Sequence, residues 1–180
     1  TLHFAYSAPT PVNDLEVHIT PMPFPLGYLG NLYTSVKNNG TAPVNAILTI
    51  EYDTALGITH ATPQTASQQP GLATFQYNNL YPNEIVNGEI HFQMPILFPD
   101  GDSSLRFVAT INPLAGDTTP ASNDDSITEY PVSSYDPNDK TAYPGGDIDT
   151  AQEWLTYRVR FQNTGNAEAQ HIYIMDTLDT

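Results

Sequence analysis

Asp136, Asn138 and Asp139 set three oxygen-bearing side chains into four consecutive positions around Pro137. Hard oxygens at that density suit Ca2+, which takes about 6–8 oxygen ligands. Asp147 and Asp149 lie downstream, and Asp124, Asp125, Asp176 and Asp179 extend the supply of carboxylates. A bound ion would relieve this crowded negative charge. The same residues also read as an Asx-turn linker whose carboxylates hydrogen-bond nearby amides. Asp100 and Asp102, around Gly101, read as a plain hairpin turn.

Catalysis finds no support in the residues. His3, His18, His60, His91 and His171 are scattered, with no H-E-x-x-H pair, and neither a G-x-S-x-G elbow nor a phosphate-binding glycine loop occurs. There is no cysteine, which excludes disulfides, thiolate metal sites and cysteine nucleophiles together. Twenty acidic residues stand against 5 basic ones, a net charge of −15, so the chain lacks the basic face that nucleic acid requires. No apolar run approaches the roughly 20 residues of a membrane helix, and no leader opens the chain. With Thr1 rather than Met in first place, the 180 residues are expected to be a processed or excised piece of a longer protein. With 39% apolar and 11% aromatic residues the chain can bury a core.

The elements that must hold these residues are strands. Sixteen Pro and 11 Gly cut the chain into segments too short for ordinary helices, and inside them apolar and polar residues alternate. Strands are expected at Leu15–Ile19, Tyr28–Lys37, Val44–Tyr52, Leu72–Tyr77, Gly88–Met94, Leu105–Ile111 and Ile127–Val132, with a loop over Thr59–Pro70. This predicts an all-β chain: an immunoglobulin-like β-sandwich over 1–132, an acidic interdomain linker over 133–140, and over 141–180 the first strands of a second, truncated sandwich. An offset of 125 aligns Leu32 with Tyr157, Val36 with Phe161, Asn38 with Asn163, Gly40 with Gly165, Ala42 with Ala167, Ile47 with Ile172 and Glu51 with Asp176. One hairpin is thus expected twice, as tandem domains. Two or three strands are marginal alone. The second domain therefore needs strands from beyond Thr180 or by exchange with a second chain.

The string SYDPNDK at 134–140 with LTYRVRFQNTGNAEAQHIYIMDTLD at 155–179 closely resembles a module near the C-terminal end of large secreted Bacteroidetes proteins, ahead of the type IX secretion sorting domain. VKNNGTAPVNAILTI at 36–50 and INPLAGDTTPASNDD at 111–125 resemble DUF11 and CARDB immunoglobulin-like repeats of cell-surface proteins and adhesins. The D-x-N-D spacing is similar to the interdomain calcium linker of cadherins. Asp followed by Ser or Thr at Thr54, Thr118, Ser126, Thr150 and Thr177 resembles the O-glycosylation signal of Bacteroidetes exported proteins. Some surface immunoglobulin-like domains form an isopeptide bond from a buried Lys beside an acid, and that resemblance would cast Lys140 as the amine and Asp176 as the acid; a solvated lysine is the simpler reading.

These features imply a non-catalytic structural or adhesive module, secreted or on the outer cell surface, acting as a rigid spacer in a stalk, adhesin or filament. Its partners would be neighbouring domains of the same chain and glycans or host and cell-surface components, without membrane insertion. The alternative is an accessory carbohydrate-binding module of a glycan-degrading enzyme, in which exposed tyrosines such as Tyr28, Tyr77 and Tyr81 would stack on sugar rings.

Overall fold

The computed structural model describes residues 10–97, 104–133, 139–146, 151, 153–169 and 171–174. The chain divides into two units, 1–131 and 132–180. Among the described residues it is all-β apart from a 3-10 turn at Pro120–Asn123.

The first unit contains β1 (Leu15–Pro21), β2 (Leu29–Asn38), β3 (Val44–Glu51), β4 (Gly57–Thr62), β5 (Ser67–Gln69), β6 (Leu72–Leu80), β7 (Ile85–Gln93), β8 (Leu105–Asn112) and β9 (Asp124–Glu129). One sheet has the order β1-β2-β7-β4 and the other β5-β6-β3-β8-β9, every neighbouring pair antiparallel. The chain passes repeatedly from sheet to sheet, which makes the unit an immunoglobulin-like sandwich. Period-two alternation builds its core. Leu15, Val17 and Ile19 point inward from β1, Leu32, Thr34 and Val36 from β2, and Leu105, Phe107, Ala109 and Ile111 from β8. Phe107 stacks on Phe24 at 5.1 Å between ring centroids and lies 5.4 Å from Phe92. Gly30 makes room for this cluster, because a Cβ there would lie 2.1 Å from the Phe24 ring.

The segment 28–52, expected as a hairpin, is corrected by the pairing: β2 bonds to β1 and β7, whereas β3 bonds to β6 and β8 in the opposite sheet. The fully buried Asn38 accounts for the crossing. Its Nδ2 donates to Ala42 O at 2.9 Å and Leu80 O at 2.8 Å, and its Oδ1 accepts the Gly40 amide at 2.8 Å. A side chain thus satisfies backbone groups that a hairpin would have paired with each other. A Cβ at Gly40 would sit 2.3 Å from Val12 O, so the turn closes on glycine alone. The loop expected over Thr59–Pro70 instead holds most of β4 and all of β5, short edge strands whose polar composition hides them from an apolar-periodicity reading. β9 begins at Asp124, ahead of the expected Ile127.

The second unit contains β10 (Asp139–Tyr143) and β11 (Thr156–Arg160), an antiparallel pair. Asp139 and Lys140, expected in the joint, are the first two residues of β10. After β11, Asn163 Nδ2 donates to Ala167 O at 2.6 Å and Asn163 Oδ1 accepts the Gly165 amide at 3.0 Å, matching the bonds of Asn38 to Ala42 O and the Gly40 amide. A second correspondence strengthens this. In the first unit Val12 N–H donates to Thr41 Oγ1 and Val12 O accepts the Thr41 amide; in the second, Ser133 N–H donates to Asn166 Oδ1 and Ser133 O accepts the Asn166 amide. The turn, with the strand before it, is built twice.

Tyr77, expected among the exposed tyrosines, is corrected to a core residue at 6% exposure, on β6 facing inward. Its hydroxyl approaches Thr34 without a well-aligned hydrogen bond, and burial pushes its pKa up to about 12. A raised phenol pKa leaves stability intact below the unfolded value near 10 and removes it as pH climbs towards 12. Unfolding free energy should therefore drop by about 2–3 kcal/mol over that interval on account of this group. Tyr77→Phe should remove this share of the alkaline loss in urea titrations, with little change at neutral pH.

Candidate functional site

At one edge of the four-stranded sheet, β1 has β2 on one side and exposes the amides of its other side. Side chains around β9 meet them. Asp117 Oδ2 accepts the Leu15 amide at 2.8 Å, Asp125 Oδ2 accepts the Ile19 amide at 2.9 Å, and Ser122 Oγ donates to Leu15 O at 2.9 Å. Asn13 forms a parallel bridge with Asp117, and the Thr118 amide donates to Asn13 O at 3.0 Å. Both sets of partners advance in the same chain direction, so β1 lies parallel to the segment 117–125 of the other sheet. Asp117 is itself fixed: Oδ1 accepts the Thr119 amide at 2.8 Å and Oδ2 the buried Asn123 Nδ2 at 3.1 Å. Carboxylates take the place of a strand, and a charged acceptor strengthens each bond.

Around the same edge Glu16 accepts from Asn39 Nδ2 at 2.7 Å and pairs with His18 Nε2 at 2.8 Å, while His18 Nδ1 lies 3.7 Å from Asp125. The Asn39 hydrogen bond, followed by that of His18, holds the Glu16 carboxyl below its usual value of 4.5. On the outer face of β4 and β7, His60 and His91 meet edge to face at 5.3 Å, with Glu89 2.9 Å from His91 Nε2 and the Thr62 hydroxyl 3.2 Å from His60 Nε2. The neighbouring cleft, about 250 Å³, is lined by Ile58, Thr59, His60, Gln64, Thr65 and Gln68. It falls below the roughly 300–1,000 Å³ of small-molecule pockets.

Of the candidate ligand, glycosylation and isopeptide residues read from the sequence, the structure describes Asp139, Lys140, Thr54, Thr118 and Ser126. Asp136, Asn138, Asp147 and Asp149 lie outside the described residues, as do Thr150, Asp176 and Thr177. Asp139 is bonded to Arg160 on the paired strand, by Nε at 2.8 Å and by Nη2, so its carboxylate is already matched by a guanidinium. Among the described residues no group of three or more His, Asp or Glu side chains is arranged to hold a metal ion. Lys140 is exposed, with Nζ 4.3 Å from the centre of the Tyr157 ring. Thr54, Thr118 and Ser126 are exposed, the first on a turn where Asp53 Oδ1 accepts the Ala55 amide at 2.8 Å. In the sequence Asp117 stands out only as the residue before Thr118, and Asp125 as the residue before Ser126 and a spare carboxylate for an ion; their work for β1 depends on pairing across more than 100 positions of chain, which no local spacing reveals.

Removing Asp117 leaves the buried Leu15 amide unmatched and releases Thr119 and Asn123. Asp117→Ala should lower the unfolding free energy by about 2–4 kcal/mol, and Asp125→Ala by about 1–2 kcal/mol, in urea unfolding followed by tryptophan-independent circular dichroism. For Glu16 the depressed pKa means a contribution present above the ordinary value and lost as pH falls through the lowered one. Asn39→Ala should raise the Glu16 titration midpoint in carboxyl carbon NMR.

A family model described as a domain of unknown function, DUF7619, matches residues 136–180, within the second unit. No curated protein matches the chain. Among solved structures it is similar to a type I cohesin–dockerin complex of OlpC from Clostridium thermocellum, at TM-score 0.42 and 11% identity over 60% of this chain and 84% of that one. It is also similar to the sixth cohesin of Acetivibrio cellulolyticus scaffoldin B in complex with the Cel5 dockerin, at TM-score 0.38 and 13% identity over 56% and 82%. The ASH / PapD-like domain of human CEP192 gives TM-score 0.35 and 10% identity over 73% and 95%. The sandwich assignment rests on this chain's own strand order and register.

Proposed function

We propose that the chain is a non-catalytic, force-bearing spacer module of a secreted or cell-surface bacterial protein. The observation that carries this reading is the parallel clamp between the first strand of the first unit and the segment leading into its last. A tension applied through the two ends of that unit pulls β1 and β9 past each other, so the Leu15–Asp117, Ile19–Asp125 and Leu15–Ser122 bonds load together in shear. Bonds loaded in parallel must break at once, whereas those of a peeled edge break one by one. The repeated asparagine turn supports a tandem array of like units. The resemblance to modules ahead of type IX sorting domains supports the bacterial surface setting, and the strongly acidic balance keeps such a surface soluble and unsticky.

The carbohydrate-binding alternative expects a row of exposed aromatics on a sheet face. Among the described strand residues of the first unit, Tyr33 is the one exposed aromatic; Phe75, Tyr77, Phe92 and Phe107 all point into the core. The spacer reading extends to modification, since Thr54, Thr118 and Ser126 offer exposed hydroxyls to a glycosyltransferase. An intact mass of native material equal to the bare polypeptide would remove that extension.

The chain has no cysteine, so Thr10→Cys and Tyr130→Cys provide unique handles for single-molecule pulling across the clamp. The account expects rupture forces well above those measured with handles at Thr10→Cys and Asn83→Cys, and a marked fall when Asp117→Ala and Asp125→Ala are added. Equal forces in both directions, unaffected by the alanines, would overturn it.

A further inference from the structure

We infer that His60, His91 and Glu89 form a Zn2+ site on the outer face of β4 and β7. The two histidines are far apart in sequence, and a β-bulge brings them together. Ile58 stands opposite Phe92 and His60 opposite His91, so Thr59 is an extra residue on β4. With strict pairing Thr59 would face His91 and His60 would turn inward beside Ile90, because a one-residue slip moves a side chain to the other face. The Thr59 hydroxyl donates to the His91 carbonyl at 3.3 Å and so fixes the bulge. His60 is exposed and Ala61 after it is buried, as the shifted register requires.

The spacing of the pair suits one shared ion. Zn2+ holds imidazole nitrogens at about 2.0–2.1 Å, which sets two imidazole centres on a tetrahedral ion about 5.2 Å apart. The His60 and His91 ring centres are 5.3 Å apart. Two ligand atoms on such an ion are separated by about 3.3 Å, and Glu89 Oε1 lies 2.9 Å from His91 Nε2. That contact is misaligned: Nε2 is buried and has no hydrogen-bond partner. A buried nitrogen left unmatched is destabilising, and a metal bond removes the deficit. Asn31, opposite His91 on β2, donates Nδ2 to the same Glu89 oxygen at 3.3 Å and orients the carboxylate. As they stand, the three side chains do not enclose an ion. The exposed His60 supplies the adjustment by turning its ring away from the Thr62 hydroxyl, which is 3.2 Å from Nε2. Two imidazoles and one carboxylate leave a fourth position to water and favour zinc over Ca2+, which takes oxygen ligands.

The test titrates Zn2+ into the whole 180-residue chain and follows the histidine ring nitrogens by long-range proton–nitrogen NMR. The rings of His60 and His91 should shift together and saturate at one ion per chain, while those of His3, His18 and His171 stay in place. His18, beside Glu16 and Asp125, is the competing cation position. By calorimetry His60→Ala and Glu89→Gln should each weaken binding at least tenfold and His18→Ala should not, with the circular dichroism of every variant in chelator matching that of the parent chain. Ca2+ at the same concentrations should move neither ring. The wild-type ring shifts decide the assignment even where a variant fails to fold. No shift at millimolar Zn2+, an equal response to Ca2+, or shifts at His3, His18 or His171 in place of the pair would each overturn the proposal.

Discussion

A sandwich of two open sheets has edges, and the fold of the first unit depends on how one of them is closed. Among the described residues β1 has no strand on its outer side, yet Leu15 is fully buried there and its amide cannot be left to water. Asp117 and Asp125 resolve this with carboxylates that reach across from the opposite sheet. The turn at Pro120–Asn123 exists to bring both within range, and Asn123 beneath it ties Asp117 to the Ile111 carbonyl of β8. The closure thus joins the first strand, the last strand and the core strand between them, and it explains why so acidic a chain places carboxylates against backbone rather than leaving all of them in solvent.

The asparagine turn plays the matching part at the crossing between sheets. Asn38 is a buried polar side chain whose hydrogen bonds replace the pairing a hairpin would make, and the adjacent glycine lets Val12 pack onto the turn. Because the same donors and acceptors recur at Asn163, Gly165 and Ala167, the second unit carries the local instructions for the same crossing. In the first unit that crossing sits above a filled core. In the second, the residues in core-facing places remain accessible, with Lys140 lying over the Tyr157 ring on the same face as Val159.

The sequence carried the strands that bury alternate residues, because period two is a direct consequence of the pleat: Leu15, Val17 and Ile19 could face nothing but a core. It also carried the equivalence of Asn38 with Asn163, since a turn built on one amide side chain leaves a fixed spacing to glycine and alanine. It missed β4 and β5, whose Thr, His and Gln side chains follow no apolar rhythm and whose place at the edges comes from the sheets around them. It read the Asn38 turn as a hairpin because periodicity reports which face of a strand is buried and not which sheet the next strand joins. The acidic residues were the least legible. Asp117 and Asp125 look like surface charge until the fold sets them against β1, and the bond of Asp139 to Arg160 on the paired strand is likewise set by register rather than by local spacing.

Amide hydrogen exchange of Leu15 and Ile19 tests the closure most directly. If the carboxylates of Asp117 and Asp125 hold these two edge amides, they exchange as slowly as the paired amides in the middle of β2, although among the described residues no strand lies beside them. Exchange at the rate of an open sheet edge would show that the carboxylates do not close it, and the clamp would lose its basis.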